Sequence, residues 1–147
     1  MSFQFRFEKI LTMKEKETES VLHEMNVFKT MKETAERQLL DLIEKKDNYV
    51  RDYQTMMRNS LRVTDILDKE QYIHFLNKQI EKVRKKVNEL THELHLKNTL
   101  LLAKNQEEKI WSTWREKSFE EYTVKINREE QNQLDEIAVL RYFHHNN

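Results

Sequence analysis

Apolar residues recur along this chain every seven positions, with a second set three or four residues away from the first. That spacing draws a stripe along a helix which a second helix can bury. In the first block, one column reads Leu11, Thr18, Met25, Lys32, Leu39, Lys46, Tyr53 and the other Phe7, Lys14, Val21, Phe28, Ala35, Leu42, Tyr49, Met56; eleven of these fifteen positions are apolar or aromatic, which predicts one helix. In the second block, Ile66, Ile73, Ile80, Val87, Leu94 and Leu101 form an unbroken aliphatic column, and Leu76, Val83 and Leu90 stand on its partner column until Lys97 and Lys104 interrupt it. The change of phase between the blocks predicts two helices rather than one. The fold class expected is therefore all-α: two long helices in an antiparallel coiled-coil hairpin, forming a single domain over residues 1–147.

The boundaries follow from local signals. The stretch Asn59-Ser60-Leu61-Arg62-Val63-Thr64-Asp65 separates the blocks. Asn59 suits a left-handed helix end, Thr64 or Asp65 suits the next N-cap, and Asp65, Asp68 and Glu70 complement the positive end of the second helix dipole. These signals predict a helix from about 3 to 58, a turn at about 59–65, a second helix from about 65 to 141, and a frayed tail to 147. Counting a rise of about 1.5 Å per residue, the second helix outruns the first and leaves about the last twenty-five residues without an intramolecular partner. Past Leu101 the heptad drifts: Ile110, Trp111, Trp114, Phe119, Tyr122, Ile126, Leu134, Ile137 and Leu140 keep helical spacing but share no single frame. Phe3, Phe5 and Phe7 are the residues expected to cover Trp111 and Trp114. Three lysines in the first seam and two in the second require their stems to reach the seam edge.

Composition narrows the picture further. The 147 residues include neither Gly nor Pro, which disfavours sheets with tight turns and any glycine-rich nucleotide loop. Charged residues make up 35%, with 26 Lys and Arg against 26 Asp and Glu, and the signs are interleaved along the chain, so no basic face is expected for nucleic acid. Cysteine is absent, which excludes thiol chemistry and disulfides within this sequence. No apolar run reaches the roughly 18 residues of a membrane span, so direct membrane insertion is not expected and a cytoplasmic location is. A two-helix hairpin offers no water-excluding pocket, and the chain is read as a non-enzyme without cofactor or metal. His92-Glu93-Leu94-His95 places its histidines three apart where the zinc motif needs four, and Glu89 with His92 gives one Glu-x-x-His where di-metal bundles need two. His144 and His145 sit in the tail.

The two ends of the chain resemble a known family. Phe3-Gln4-Phe5-Arg6-Phe7-Glu8-Lys9-Ile10-Leu11, followed by Met13-Lys14-Glu15-Lys16-Glu17, looks like the opening phrase of the FliJ family of flagellar export proteins. Trp114-Arg115-Glu116-Lys117, Glu121-Tyr122, Arg128-Glu129-Glu130-Gln131 and Leu134-Asp135-Glu136-Ile137-Ala138 resemble its closing phrase. The resemblance implies a stalk-like hairpin similar to the γ subunit of rotary ATPases, acting in the flagellar type III export apparatus at the inner face of the cell membrane. It implies three partners: the hexameric flagellar export ATPase, the cytosolic domain of the export-gate membrane protein, and export chaperones. Carried over residue by residue, Tyr72, Leu76, Gln79 and Val83 would meet the gate, while Arg6, Lys9, Arg128, Glu129, Glu130, Asp135 and Glu136 would meet the ATPase. Gln79 is larger than the small residue of the family pattern, Val83 stands where a polar residue is usual, and the turn lacks the family's glycine. Leu76 and Val83 also belong to the seam column. Two alternatives stay open: a generic coiled-coil scaffold, and the stalk or chaperone of a virulence secretion system.

Overall fold

The computed structural model describes residues 2–146, so the last residue of the expected tail lies outside the described residues. Two helices account for nearly all of them: α1, Glu8–Met57, of 50 residues, and α2, Val63–His145, of 83 residues. With no Gly or Pro inside either span, nothing interrupts the backbone ladder. The two helices pack antiparallel as a hairpin, and the chain is all-α among the described residues.

α1 begins at Glu8, not near residue 3. Residues 2–7 lie outside the helix, and they alternate: Phe3, Phe5 and Phe7 are buried or half-buried while Ser2, Gln4 and Arg6 are exposed. The three rings alternate with the exposed residues and pack inward, through a turn at Arg6 and Phe7 that leads into the helix. The Glu8 amide then donates to the Phe5 carbonyl at 3.2 Å, and the Leu11 amide to the Phe7 carbonyl at 3.0 Å.

The connection spans residues 58–62. Ser60, rather than Asn59, takes the left-handed conformation, with φ of 59°. The Asn59 amide donates to the Met56 carbonyl at 3.0 Å, which closes the last turn of α1 and passes the reversal one residue on. α2 starts earlier than the capping residues suggest: the Ile66 amide donates to the Arg62 carbonyl at 3.1 Å, so Thr64 and Asp65 lie inside the first turn. Asp65 still faces the positive end of the dipole. At the far end α2 runs on to His145, beyond the end expected near 141, because nothing between Leu134 and His145 breaks a helix.

Contacts divide the chain into two units. One comprises Ser20–Leu101, and its seam buries Val21, Ala35 and Tyr53 of α1 against Leu76, Ile80, Val83 and Leu90 of α2. The pairing direction is visible in its contacts: Lys97 meets Glu24 at 2.7 Å, and Tyr72 meets Tyr49 at 4.6 Å between ring centroids. Of the seam positions named from the heptads in this unit, all but Met56, which is 44% exposed beside the turn, are buried or half-buried. The side chain most completely enclosed is Leu76, 1% exposed, a burial that stabilises by about 2 kcal/mol.

The other unit comprises residues up to Glu19 together with those from Leu102 onward. Its centre is aromatic. Phe7 packs on Trp111 at 5.5 Å and on Trp114 at 5.3 Å, whereas Phe3 packs on Phe119 at 5.3 Å and Tyr122 at 5.4 Å. Phe5 is buried with its ring 5.8 Å from that of Phe7. Phe7 is thus the ring that contacts both tryptophans, leaving Trp114 49% exposed, and Phe3 is used further along α2. Here the heptad frame is kept only in part: Lys104, Trp111 and Ser118 stand seven apart and are half-buried, as are Glu108 and Tyr122, but Arg115 between the last two is exposed and half-buried Ile126 falls outside both columns. From residue 127 to residue 146 every side chain is exposed.

Candidate partner-binding surfaces

Seam lysines determine how each unit holds its charges. Lys14 Nζ donates to Glu107 Oε2 and Lys104 Nζ to Glu17 Oε2, both at 3.1 Å, while Lys14–Glu17 at 3.8 Å and Lys104–Glu107 at 3.7 Å close the quartet. The stems lie along the seam and the ammonium groups emerge at its edge. The hydrogen bond to Glu17, followed by the charge of Glu107, raises the Lys104 pKa; the hydrogen bond from Lys14, followed by the charge of Lys104, lowers that of Glu107. Beside them Thr18 Oγ1 lies 3.0 Å from the Lys14 carbonyl and 3.5 Å from that of Lys104. In the other unit Lys97 reaches Glu24 and also lies over the Phe28 ring at 6.0 Å. Exposed ion pairs add little stability, but alternating partners across a seam penalise a shifted register.

The four residues assigned to the gate divide by accessibility. Tyr72 is half-buried, clasped between Tyr49 at 4.6 Å and Phe75 at 6.2 Å. Gln79, two turns further along α2, is half-buried and lines an open groove with Gln38, Lys82 and Glu89. Leu76 and Val83 are buried, at 1% and 6% exposed, so they hold the seam beneath the accessible pair. One turn from the aromatic cluster, Tyr53 is buried and its hydroxyl donates to Glu70 at 3.4 Å; burial, reinforced by the Glu70 charge, raises its pKa.

The residues assigned to the ATPase all fall in the unit that contains both ends of the chain. Arg6 is exposed with its guanidinium 5.5 Å from the Phe7 ring centre, and Lys9 is exposed on the first turn of α1. Arg128, Glu129, Glu130, Asp135 and Glu136 are exposed on the bare part of α2, where Gln131 Nε2 donates to Asp135 Oδ1 at 3.0 Å. Nearby, Arg115 Nε donates to Glu8 Oε2 at 2.9 Å and its guanidinium lies 5.9 Å from the Phe3 ring centre, fixing the N-terminal segment on α2.

Other features bear on the chemistry. Glu89, His92, Glu93 and His95 are exposed on α2, and no group of three or more His, Asp or Glu side chains among the described residues is arranged to hold a metal ion. No helix among them is long and apolar enough to cross a membrane. One surface escaped the sequence reading: Phe75 is 52% exposed, and Lys78, Lys82, Lys85 and Lys86 follow it, all exposed. Summing charge over the whole chain concealed this local excess. Its signal was the spacing of lysines by three and four.

No solved structure matches the chain. The flagellar FliJ protein of Bacillus subtilis (strain 168) is 25% identical over 142 residues, covering 97% of each chain. A family model described as Flagellar FliJ protein matches residues 3–147, and on that near-complete match the chain belongs to the FliJ family.

Proposed function

We propose that this protein is a non-enzymatic component of the flagellar type III export apparatus, a helical stalk that joins the export ATPase to the export gate. Membership of the FliJ family over almost the whole chain is the observation that carries this reading. The unit containing both chain ends enters the ring of the hexameric ATPase, using Arg6, Lys9, Arg128, Glu129, Glu130, Asp135 and Glu136. Their exposure suits a charged pore, and the bare residues of α2 supply length beyond the paired seam. Tyr72 and Gln79 meet the cytosolic domain of the gate, with Leu76 and Val83 positioning them from beneath. Export chaperones are further partners, and the protein acts in the cytoplasm, peripherally associated with the membrane at the flagellar base.

A pull-down with the purified ATPase and the gate domain tests both assignments. A chain cut at about residue 120 should lose the ATPase and keep the gate. Tyr72→Ala should weaken gate binding while the circular dichroism spectrum stays helical. If the intact protein captures neither component, the proposal fails. A second reading, a self-associating scaffold, draws on exposed Leu134, Ile137 and Leu140. Light scattering decides it: a dimer that persists on dilution to low micromolar concentration and ignores the ATPase favours the scaffold.

A further inference from the structure

The helix face that begins at Phe75 combines two properties found together nowhere in the seam. Phe75, Lys78, Lys82, Lys85 and Glu89 follow one another at intervals of three and four, which puts them on a single stripe of α2. All are exposed, and none of the three lysines takes part in an ion pair among the described residues. Lys14, Lys97 and Lys104 behave differently, each meeting a glutamate across the seam. Lysines at such intervals repel one another, and although Glu81 and Glu89 lie three or four residues from Lys78 or Lys85, neither closes an ion pair with them among the described residues. Phe75 is 52% exposed, yet its ring is held by the stack on Tyr72, itself against Tyr49. A rigid aromatic side chain bordered by unpaired cations is the pattern of an interface anchor with a charged rim.

We infer that this stripe docks on an acidic protein surface that receives the Phe75 ring in an apolar pocket and sets carboxylates against Lys78, Lys82 and Lys85. The inference deepens the gate assignment and rests on it: Tyr72 and Gln79 adjoin the stripe, and the gate's cytosolic domain would supply the acidic face. A lipid surface is disfavoured by the same geometry, since a helix lying in the membrane interface needs a broad apolar face and this stripe has one apolar side chain at its end.

The test titrates the purified gate domain with the full chain at low and at moderate salt, and repeats it with the triple variant Lys78→Glu/Lys82→Glu/Lys85→Glu, with Phe75→Ala, and with a control triple reversal at exposed Lys16, Lys29 and Lys45. Helicity and melting are followed by circular dichroism, and Lys→Gln at the same three positions replaces the reversal if it unfolds. The expected result is a loss of at least about tenfold in affinity for the stripe variant and for Phe75→Ala, with a marked salt dependence in the wild type and little effect from the control. Wild-type affinity in the stripe variant, or an equal loss in the control, overturns the inference and leaves the gate assignment standing. If the wild type does not bind the gate domain at all, the gate assignment fails, and poly-L-glutamate becomes the probe: salt-sensitive binding removed by the stripe reversal alone upholds an acidic partner, and its absence overturns it. Binding to phosphatidylglycerol vesicles that the stripe reversal abolishes, with no binding to either acidic polypeptide, also overturns it in favour of a membrane.

Discussion

Lysine at a seam position is unfavourable in isolation, and the way this chain accommodates it is local. Lys14 and Lys104 stand where a helix pair prefers aliphatic side chains, but each reaches a carboxylate on the opposite helix. The same arrangement makes the quartet sensitive to pH. Because the pKa of Glu107 is lowered, its contribution is present above the ordinary carboxylate value of 4.5 and is lost as pH falls below it. Because that of Lys104 is raised, its contribution is present below the ordinary value of 10.5 and is lost as pH rises above it. Glu107→Gln should therefore lower the melting temperature at neutral pH, and the difference from wild type should disappear as the pH drops through the acid range. A melting series by circular dichroism measures this, and added salt should shrink the difference because the groups are partly solvated.

Helix ends are where the sequence and the structure part company most. Two residues with good end-forming chemistry, Asn59 and Thr64, are not the ones that make the ends. Ser60 instead adopts φ of 59° and carries the strain of a Cβ in the left-handed region. Glycine in its place would remove that strain at a modest entropic cost, so Ser60→Gly should stabilise the protein by about 1 kcal/mol in urea unfolding. An unchanged or lowered midpoint would show that the turn is not strained. At the start of α1, the alternation Phe3-Gln4-Phe5-Arg6-Phe7 is a period-two pattern inside vocabulary that otherwise reads as helix. Local propensity could not decide between the two; the tryptophans and Phe119 on α2 did, by offering the rings a surface.

For the molecule as a whole, stability follows the seam. A helix without a partner is marginal in water, since nucleation is costly and propagation gains little per residue. Residues 127–145, exposed throughout, have only intrahelical hydrogen bonds to protect them. Their amides should exchange with solvent much faster than those of residues 70–95, where Leu76, Ile80, Val83 and Leu90 are buried. Exchange followed by mass spectrometry measures the contrast, and uniform protection along α2 would indicate a partner for the bare segment in solution, a second copy included.

Periodicity alone determined the class of this protein and its seam. Two heptad columns in each block identified the buried face of both helices, because a seven-residue repeat has one helical solution and the chain contains no Gly or Pro to interrupt it. Tertiary structure decided the rest. It chose which residues end the helices, since several candidates had similar local energies and only packing separated them. It directed the seam lysines to particular glutamates, because ion pairing depends on which turn of one helix faces which turn of the other. It also separated half-buried Tyr72 and Gln79 from Leu76 and Val83, which the seam buries, although all four lie within twelve residues of one helix.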